Sequence, residues 1–392
     1  MVCFVAGTLA VADVQAEASH LTLKAEAALT FDNNLFRLPA ATNTLRVLGK
    51  DSGAEQIGVT TLSLNFSQTL SLQKVNVSVS VVDSKFQNFS YLNYASYNYN
   101  AALQWSLTPR LHGLLSADRK ETANSFADYT GRQSNLRTEA SQRLDAEYEI
   151  DGPWRVLAGV STFSQTNQQA LVAGGDHTTR TLNAGLGYVF ASGSSLNWIQ
   201  KQVSGHFLRR KLVANSPYDP DFNQSISDLR AHWAMPEKHS ADFYLTALRQ
   251  THPHFPERDF SGLNSGASLN WLLTGKSSVQ LGQSRTVTSY AVRDSNYTQT
   301  QRLFVSPSWQ FSPKSLVRLQ HSRSRIRYLG APQGVVPSQR EDNIHDTGVT
   351  FYWQPDQRFT LSAALQNASR SANQSGLDYE SQQISVSAQY SY

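Results

Sequence analysis

The chain has 392 residues, of which only 16% are charged, against roughly 25% in ordinary soluble domains; Ser, Gln, Asn and Thr fill the difference. The formal net charge of +4 is mild, and no basic run is long enough to suggest a nucleic-acid partner. Beyond the extreme N-terminus no run of 18 apolar residues occurs, so no helical membrane protein is implied.

In chain order, the first element is the apolar stretch "VCFVAGTLAVADVQAEA". It reads as the apolar core of a secretion signal, with Val14-Gln15-Ala16 as an acceptable cleavage site and residues 1–16 removed. A positively charged segment ahead of it is missing, which a start upstream of the given one would supply. Cys3 is the only cysteine and falls inside this segment. Residues 17–392 would then be a single domain without disulfide, Cys-zinc or Cys-nucleophile chemistry.

The alternating run "LTLKAEAALTF" follows and predicts a strand. It breaks at "FDNNLFRLP", where turn-forming Asp32, Asn33 and Asn34 are followed at once by Leu35, Phe36, Arg37 and Leu38. The three polar residues can turn the chain by hydrogen-bonding nearby amides and tolerating unusual φ. Leu35, Phe36 and Leu38 need burial, which a loop folded into a barrel mouth would supply, with Arg37 paired to Asp32 or facing the channel. A simple strand-to-loop corner is the alternative.

Strict alternation then recurs. Val75, Val77, Val79 and Val81 share one face, and Tyr97, Tyr99, Ala101, Leu103 and Trp105 another. Later rows run through Leu182, Ala184, Leu186 and Tyr188, and through Phe359, Leu361, Ala363 and Leu365. Period two is the strand signal, and no convincing amphipathic helix interrupts it. Short turn signals recur about every 40 residues: "SLQK", "TPR", "DGP", "ASGS", "MPEK", "TGKS", "SPKS" and "QPDQ". Longer polar segments such as "KETANSFADYTGR" and "LGAPQGVVPSQRED" lie midway between them. Eight turns and nine loops predict eighteen strands, with about 21 residues per strand and its connection. The turn at 71–74 lacks Gly and Pro, so sixteen strands remain possible. The expected fold is an all-β, antiparallel, up-and-down transmembrane barrel with short periplasmic turns and longer extracellular loops.

All seven tryptophans support this orientation. Trp105, Trp154, Trp198, Trp233, Trp271, Trp309 and Trp353 each lie near a short turn, where a membrane interface accommodates an apolar ring with a polar N–H. At the other end of the sequence Ile384, Val386, Ala388, Tyr390 and Tyr392 share a face, and the terminal aromatics resemble the signal that barrels present to their assembly machinery.

Assigning Leu, Val and Tyr rows to lipid and Ser, Asn, Thr, Gln and Arg rows to the lumen makes the lumen polar. About eighteen strands is the size at which barrels hold water. The most pointed candidate is "HSRSRIRY": His321, Arg323, Arg325 and Arg327 share a face, and as an inward ladder they would select anionic or hydroxyl-rich solutes. The same ladder could lie above the bilayer, solvated or bound to lipopolysaccharide phosphates, or pair with interior carboxylates. "FLRRK" at 207–211 is a weaker version, since Arg209 and Arg210 face opposite ways. "THPHFPERD" offers His252, His254, Glu257 and Asp259, a weak metal pattern more consistent with surface loop. No spacing raises an enzymatic reading, and no cofactor or metal is expected.

"FDNNLFRLP" resembles the signature near the start of EpsL-type outer-membrane proteins of exopolysaccharide biosynthesis, which are associated with exosortase systems in Gram-negative bacteria. "FSYLNYASYNYNAALQWSLTPRLHG" and "TLNAGLGYVFASGSSLNW" resemble later segments of that family. The resemblance implies a barrel in the outer membrane that passes or helps to secrete a polysaccharide. Lipopolysaccharide, a polysaccharide chain, the barrel assembly machinery and periplasmic or inner-membrane export components would be its partners. A small-solute porin is the leading alternative; an outer-membrane enzyme or a plugged structural barrel is the weaker one.

Overall fold

The computed structural model describes residues 21–127, 132–170, 172–212, 218–236, 239–292, 294–331 and 334–392. The proposed signal segment at 1–16 lies outside the described residues.

Eighteen strands form one sheet in which each strand pairs antiparallel with its sequence neighbours and β1 pairs with β18, closing the barrel. They are β1 Leu21–Asp32, β2 Glu55–Leu70, β3 Gln73–Phe86, β4 Tyr94–Thr108, β5 Leu111–Ala123 and β6 Leu136–Glu149. Next come β7 Trp154–Asn167, β8 His177–Val189, β9 Ser195–Phe207, β10 Asp221–Ala234, β11 Ser240–Thr251 and β12 Phe260–Thr274. The last are β13 Ser277–Val292, β14 Ser295–Ser312, β15 Ser315–Leu329, β16 Glu341–Trp353, β17 Phe359–Ala372 and β18 Tyr379–Ser391. Closure leaves no unpaired edge, which is what allows strands to cross a hydrocarbon layer. The predicted connection pattern holds except between β13 and β14, whose own strands extend instead of leaving a long loop. The "SLQK" turn is genuine: Ser71 takes φ 57°, supplying the left-handed residue that Gly provides elsewhere. One helix was not anticipated: α1, Thr44–Leu48, is a single turn capped by the side chain of Asn43.

Register assigns the faces, because directly opposed residues point the same way. Leu29 opposes Val386, Val386 opposes Ala363, Ala363 opposes Phe351, and Phe351 opposes Val317. Leu23 opposes Leu64, Leu64 opposes Val79, and Val79 opposes Tyr99. These rows carry the exposed Leu, Val, Phe and Tyr side chains and form an apolar band around the outside. A surface this apolar belongs against lipid.

Six tryptophans stand on the outer face at the turn end with about half of their surface exposed: Trp154, Trp198, Trp233, Trp271, Trp309 and Trp353. Trp105 shares that face but is half-buried, because it opposes Gly113 and lies over the space a Cβ there would fill. Tyr390 and Tyr392 are exposed, and Leu23 and Tyr392 exchange two backbone hydrogen bonds (2.9 and 2.8 Å) at the closing seam.

Candidate functional site

The interior is a wall of charged and hydroxylated side chains. On β6 the sequence "LRTEASQRLDAEYE" alternates in phase with outward Leu144 and Tyr148, so Arg137, Glu139, Arg143, Asp145, Glu147 and Glu149 point inward. Inward Arg155 on β7 bridges Glu147 at 3.4 Å and Glu149 at 3.2 Å, and Arg143 pairs with Asp145. These pairs remain wet: Arg143 is 58% exposed, Glu147 and Glu149 36% each, and Glu139, nearer the loops, 30%. Water therefore reaches this side of the interior from the turn end almost to the loops. Diametrically opposite, nine positions away in the ring of eighteen, β15 carries inward Arg318, and adjacent β14 carries inward Arg302. Neither has a carboxylate within 4.0 Å among the described residues. Inward Asp346 of β16 acts on Arg302 from beyond ion-pair distance, so both walls present fixed charge to the lumen. Between them, fully buried Asp228 binds Lys201 (3.1 Å), Arg230 (2.9 Å) and the Thr246 hydroxyl (2.7 Å), and stiffens the β9–β11 wall.

The mouth is narrowed by chain folded inward. The first loop, 33–54, starts with the segment singled out in the sequence. Asp32 is inward-facing and 1% exposed; it accepts the amide of Asn34 (2.9 Å), pairs with Arg37 (2.8 Å) and accepts Gln383 Nε2 (2.7 Å). Asn34 closes the turn by accepting the amide of Leu38 (2.9 Å). The unusual φ falls on Arg37, at 54°, and not on the Asp-Asn-Asn residues expected to tolerate it. That twist is held by the Arg37 side chain, which returns to Asp32 and to the carbonyl of Asn34. Leu35 and Phe36 are then buried against Phe89 and Leu92 of the second loop, with Phe86, Ile57 and Phe126 around them. Phe36 meets Phe89 edge-on at 4.8 Å and Phe126 at 4.6 Å. Glu55, fully buried beside Asp32 in the register, avoids repulsion by accepting the amides of Asn88 (2.8 Å) and Phe89 (2.7 Å).

The other side of the mouth is closed by strands. Above the Ser265–Arg285 pair, β13 leaves β12. Outward-phase Val287 and Tyr297 of the β13–β14 hairpin then pack against inward-phase Leu248 and Phe260. The Gln250 amide donates to Ser289 at 3.4 Å, and Phe260 stacks on Tyr297 at 5.1 Å. The hairpin thus leans across the inner wall of β11 and β12. Gly262 permits this, because a Cβ there would lie 2.8 Å from Val287 Cβ.

Beside it the described ends of the fifth loop, 208–212 and 218–220, and the sixth loop, 252–259, are clasped together. Asp219, 1% exposed, accepts the amides of Asp221 (3.0 Å) and His254 (2.6 Å) and meets the His254 ring at 3.1 Å. Burial pushes the Asp219 carboxyl up, but these bonds outweigh it and hold it below the usual carboxylate range. Burial pushes the His252 imidazole down. Arg210 stacks on Phe207 at 3.4 Å, within reach of Tyr218 at 5.5 Å, and burial lowers its guanidinium to about 10. Phe207, Phe222 and His177 extend this aromatic surface down the inner wall. The weak metal pattern is consumed by the clasp, since His252 donates its amide to Asp259 (2.7 Å). Among the described residues no group of three His, Cys, Asp or Glu is arranged to hold a metal.

The Arg ladder is not in the lumen. Leu303 opposes Arg323, Val305 opposes His321, and Trp309 opposes Val317, so His321, Arg323, Arg325 and Arg327 point outward. The inward residues of β15 at this level are Ser322, Ser324, Ile326 and Tyr328. The reason is phase: β15 begins with outward Val317 and Leu319, and no bulge interrupts its pairing with β16 before Arg327. What sequence reasoning missed was the charge on β6. Its signal was available as alternation of Arg, Glu and Asp with Leu144, Ala146 and Tyr148.

A closed eighteen-stranded antiparallel barrel with an apolar outer band and a charged, water-accessible interior is an outer-membrane β-barrel, at home in the outer membrane of a Gram-negative bacterium. Among the solved structures it resembles are several proteins of Pseudomonas aeruginosa. The outer membrane protein OpdK matches with a TM-score of 0.53 at 12% identity, over 95% of this chain and 99% of that one. OpdQ matches with a TM-score of 0.53 at 12% identity, over 96% and 99%. OccK2 (OpdF), solved in complex with glucuronate, matches with a TM-score of 0.53 at 11% identity, over 95% and 98%. At such identities the likeness is one of fold. No family model and no curated protein matches the chain.

Proposed function

We propose that the chain is a passive outer-membrane channel for small polar solutes. The observation that carries this is the inner wall of β6 and β7, whose ion pairs stay partly exposed from Glu149 at the turn end to Glu139 near the loops. An interior of fixed opposite charges suits solutes that are themselves charged or rich in hydroxyls, because each contact is made and broken at little net cost. The desolvated Arg210 on its aromatic surface favours a carboxylate at the mouth, and the glucuronate in complex with OccK2 is a solute of that kind. No covalent chemistry is invoked.

The test is reconstitution of the purified barrel. Planar bilayers should show discrete conductance steps, and liposomes should swell in glucuronate or glucose but not in a long dextran. A preparation that never conducts and never admits a monosaccharide removes the channel reading.

A second reading, passage of an exopolysaccharide, is favoured by one observation. The segment that resembles the EpsL-type signature, Asp32 to Leu38, forms the inward-folded constriction, and its release would widen the mouth. Deletion of the gene followed by measurement of surface and periplasmic polysaccharide separates the two. Unchanged secretion leaves the small-solute channel.

A further inference from the structure

The outward Arg ladder sits in a surface built for something other than solvent. Around it on the outer face are Arg285 and Gln283 of β13, Gln301 of β14, and Asn343 and His345 of β16. Arg285, Gln283, Gln301 and Asn343 line a groove of about 560 Å³ with Arg323 and Arg325. Four arginines, Arg285, Arg323, Arg325 and Arg327, share this face with one carboxylate, Glu341, which pairs with Arg325 at 2.6 Å. Arg323 has no carboxylate within 4.0 Å among the described residues. Successive ladder positions are about 6.6 Å apart, so the stacked like charges are offset only by the single Glu341 carboxylate.

A second groove, of about 700 Å³, adjoins the first on the turn side and shares Ala267, Gln283, Leu303 and Arg323 with it. Its walls are Trp233, Phe243, Leu269, Leu281, Leu303 and Val305. It lies in the apolar band, whereas the ladder lies at the band's upper edge. Arg323 stands eight residues along β15 from Ser315, or about 20 Å up the axis for a tilted strand, near the top of an apolar band about 25 Å tall. Four guanidiniums offset by one carboxylate, directly above an acyl-sized apolar groove, have one complementary occupant in an outer leaflet: a lipid with several chains and anionic phosphates.

We propose that β12 to β16 form an outer-wall binding site for a phosphorylated glycolipid of the lipopolysaccharide type. Its phosphates are held by Arg323, Arg285 and Arg327, and its acyl chains lie against Leu281, Leu303 and Val305. Guanidinium forks match phosphate oxygens bidentately, and the lipid supplies the charge that the protein face lacks. Arg325, already paired with Glu341, orients the neighbouring row and contributes less. This site is independent of what passes through the lumen.

The experiment uses the full barrel in zwitterionic detergent, titrated with bisphosphorylated lipid A and with the same lipid dephosphorylated, and read by native mass spectrometry. Wild type should retain the bisphosphorylated lipid. R323Q/R325Q/R327Q should bind it at least tenfold more weakly, and R180Q, an outward arginine on β8, should bind as wild type does. The dephosphorylated lipid should bind as weakly as the triple variant does. Heat-modifiable migration on gels checks that each variant is folded. If the triple variant does not fold, R323Q and R323K replace it, with binding lost in the first and kept in the second. Equal retention by wild type and variants would overturn the proposal. Full displacement of the lipid by millimolar inorganic phosphate would also overturn it, in favour of a bare anion site.

Discussion

Replacing Phe36 by Ala tests whether the first loop constricts the mouth. Phe36 is 5% exposed and touches Phe89 and Phe126 at ring distances of 4.8 and 4.6 Å. Truncating a buried Phe costs about 3–5 kcal/mol where the cavity cannot collapse. Here the two partners lie on two other loops, so the loss falls on loop docking and not on the strand ladder. The low end, about 3 kcal/mol, raises the open population of the loop roughly 100-fold. The Asp32–Arg37 pair and the Asn34 turn remain, so release should begin beyond Leu38. The expected result is a larger or noisier single-channel conductance and new chymotrypsin cleavage within residues 40–54, with unchanged heat-modifiability. Phe31→Ala is the matched control, because Phe31 is 48% exposed on the outer face a few residues away. If F36A conducts and resists protease as wild type does, the first loop does not narrow the path and the argument from its packing fails.

Other outcomes follow from face assignment and charge. The R323Q/R325Q/R327Q variant should keep the cation-to-anion permeability ratio of wild type, as the ladder points away from the lumen; a changed ratio in bilayer reversal potentials would contradict the register. E147Q/E149Q removes two inward carboxylates and leaves Arg155 unpaired, so the ratio should shift several-fold toward anions; no shift would mean that ions do not pass the β6 wall. The clasp between the fifth and sixth loops should weaken in acid. The Asp219 carboxyl is held below its unfolded value of about 3.9, so its contribution is complete above that pH and is lost as pH falls through the depressed folded value. His252, also lowered, adds a loss that starts below about pH 6.5. Protease sensitivity of these loops measured from pH 7 to pH 3 should rise in those windows, and D219N should lose the lower step.

Much of this fold is legible because a barrel strand needs one alternation and a turn needs one backbone exception. "SLQK" shows the limit of turn chemistry, since Ser71 adopts the left-handed conformation without the expected Gly. The ladder shows a different limit. Polarity points Arg323 into the lumen, although Val317 and Leu319, three and two periods of the alternation earlier, fix its phase outward. Carrying phase along a strand is stronger evidence than the polarity of any residue on it, because a one-residue slip would invert every side chain. Phe36 shows a third limit. Its need for burial was visible, but its partners Phe89 and Phe126 are distant in sequence, and nothing local names them. The infolded β13–β14 hairpin is of the same kind: only Gly262 marks the close approach.

A single barrel wall therefore separates two electrostatic tasks, and their separation is itself testable. The ladder on β15 and the carboxylates on β6 are nine strands apart and face opposite media. Neither shares a hydrogen-bond partner with the other, so their effects should be independent. Combining R323Q/R325Q/R327Q with E147Q/E149Q should give the lipid binding of the first variant and the ion selectivity of the second, each unchanged by the other. Coupling between them would require a path through the wall. The candidate on β15 is the alternation of outward arginines with inward Ser322 and Ser324, side chains too short to transmit charge or strain across the lumen. If the five-residue variant shows a selectivity that differs from E147Q/E149Q, the outer lipid is shaping the pore, and the two faces cannot be treated as separate sites.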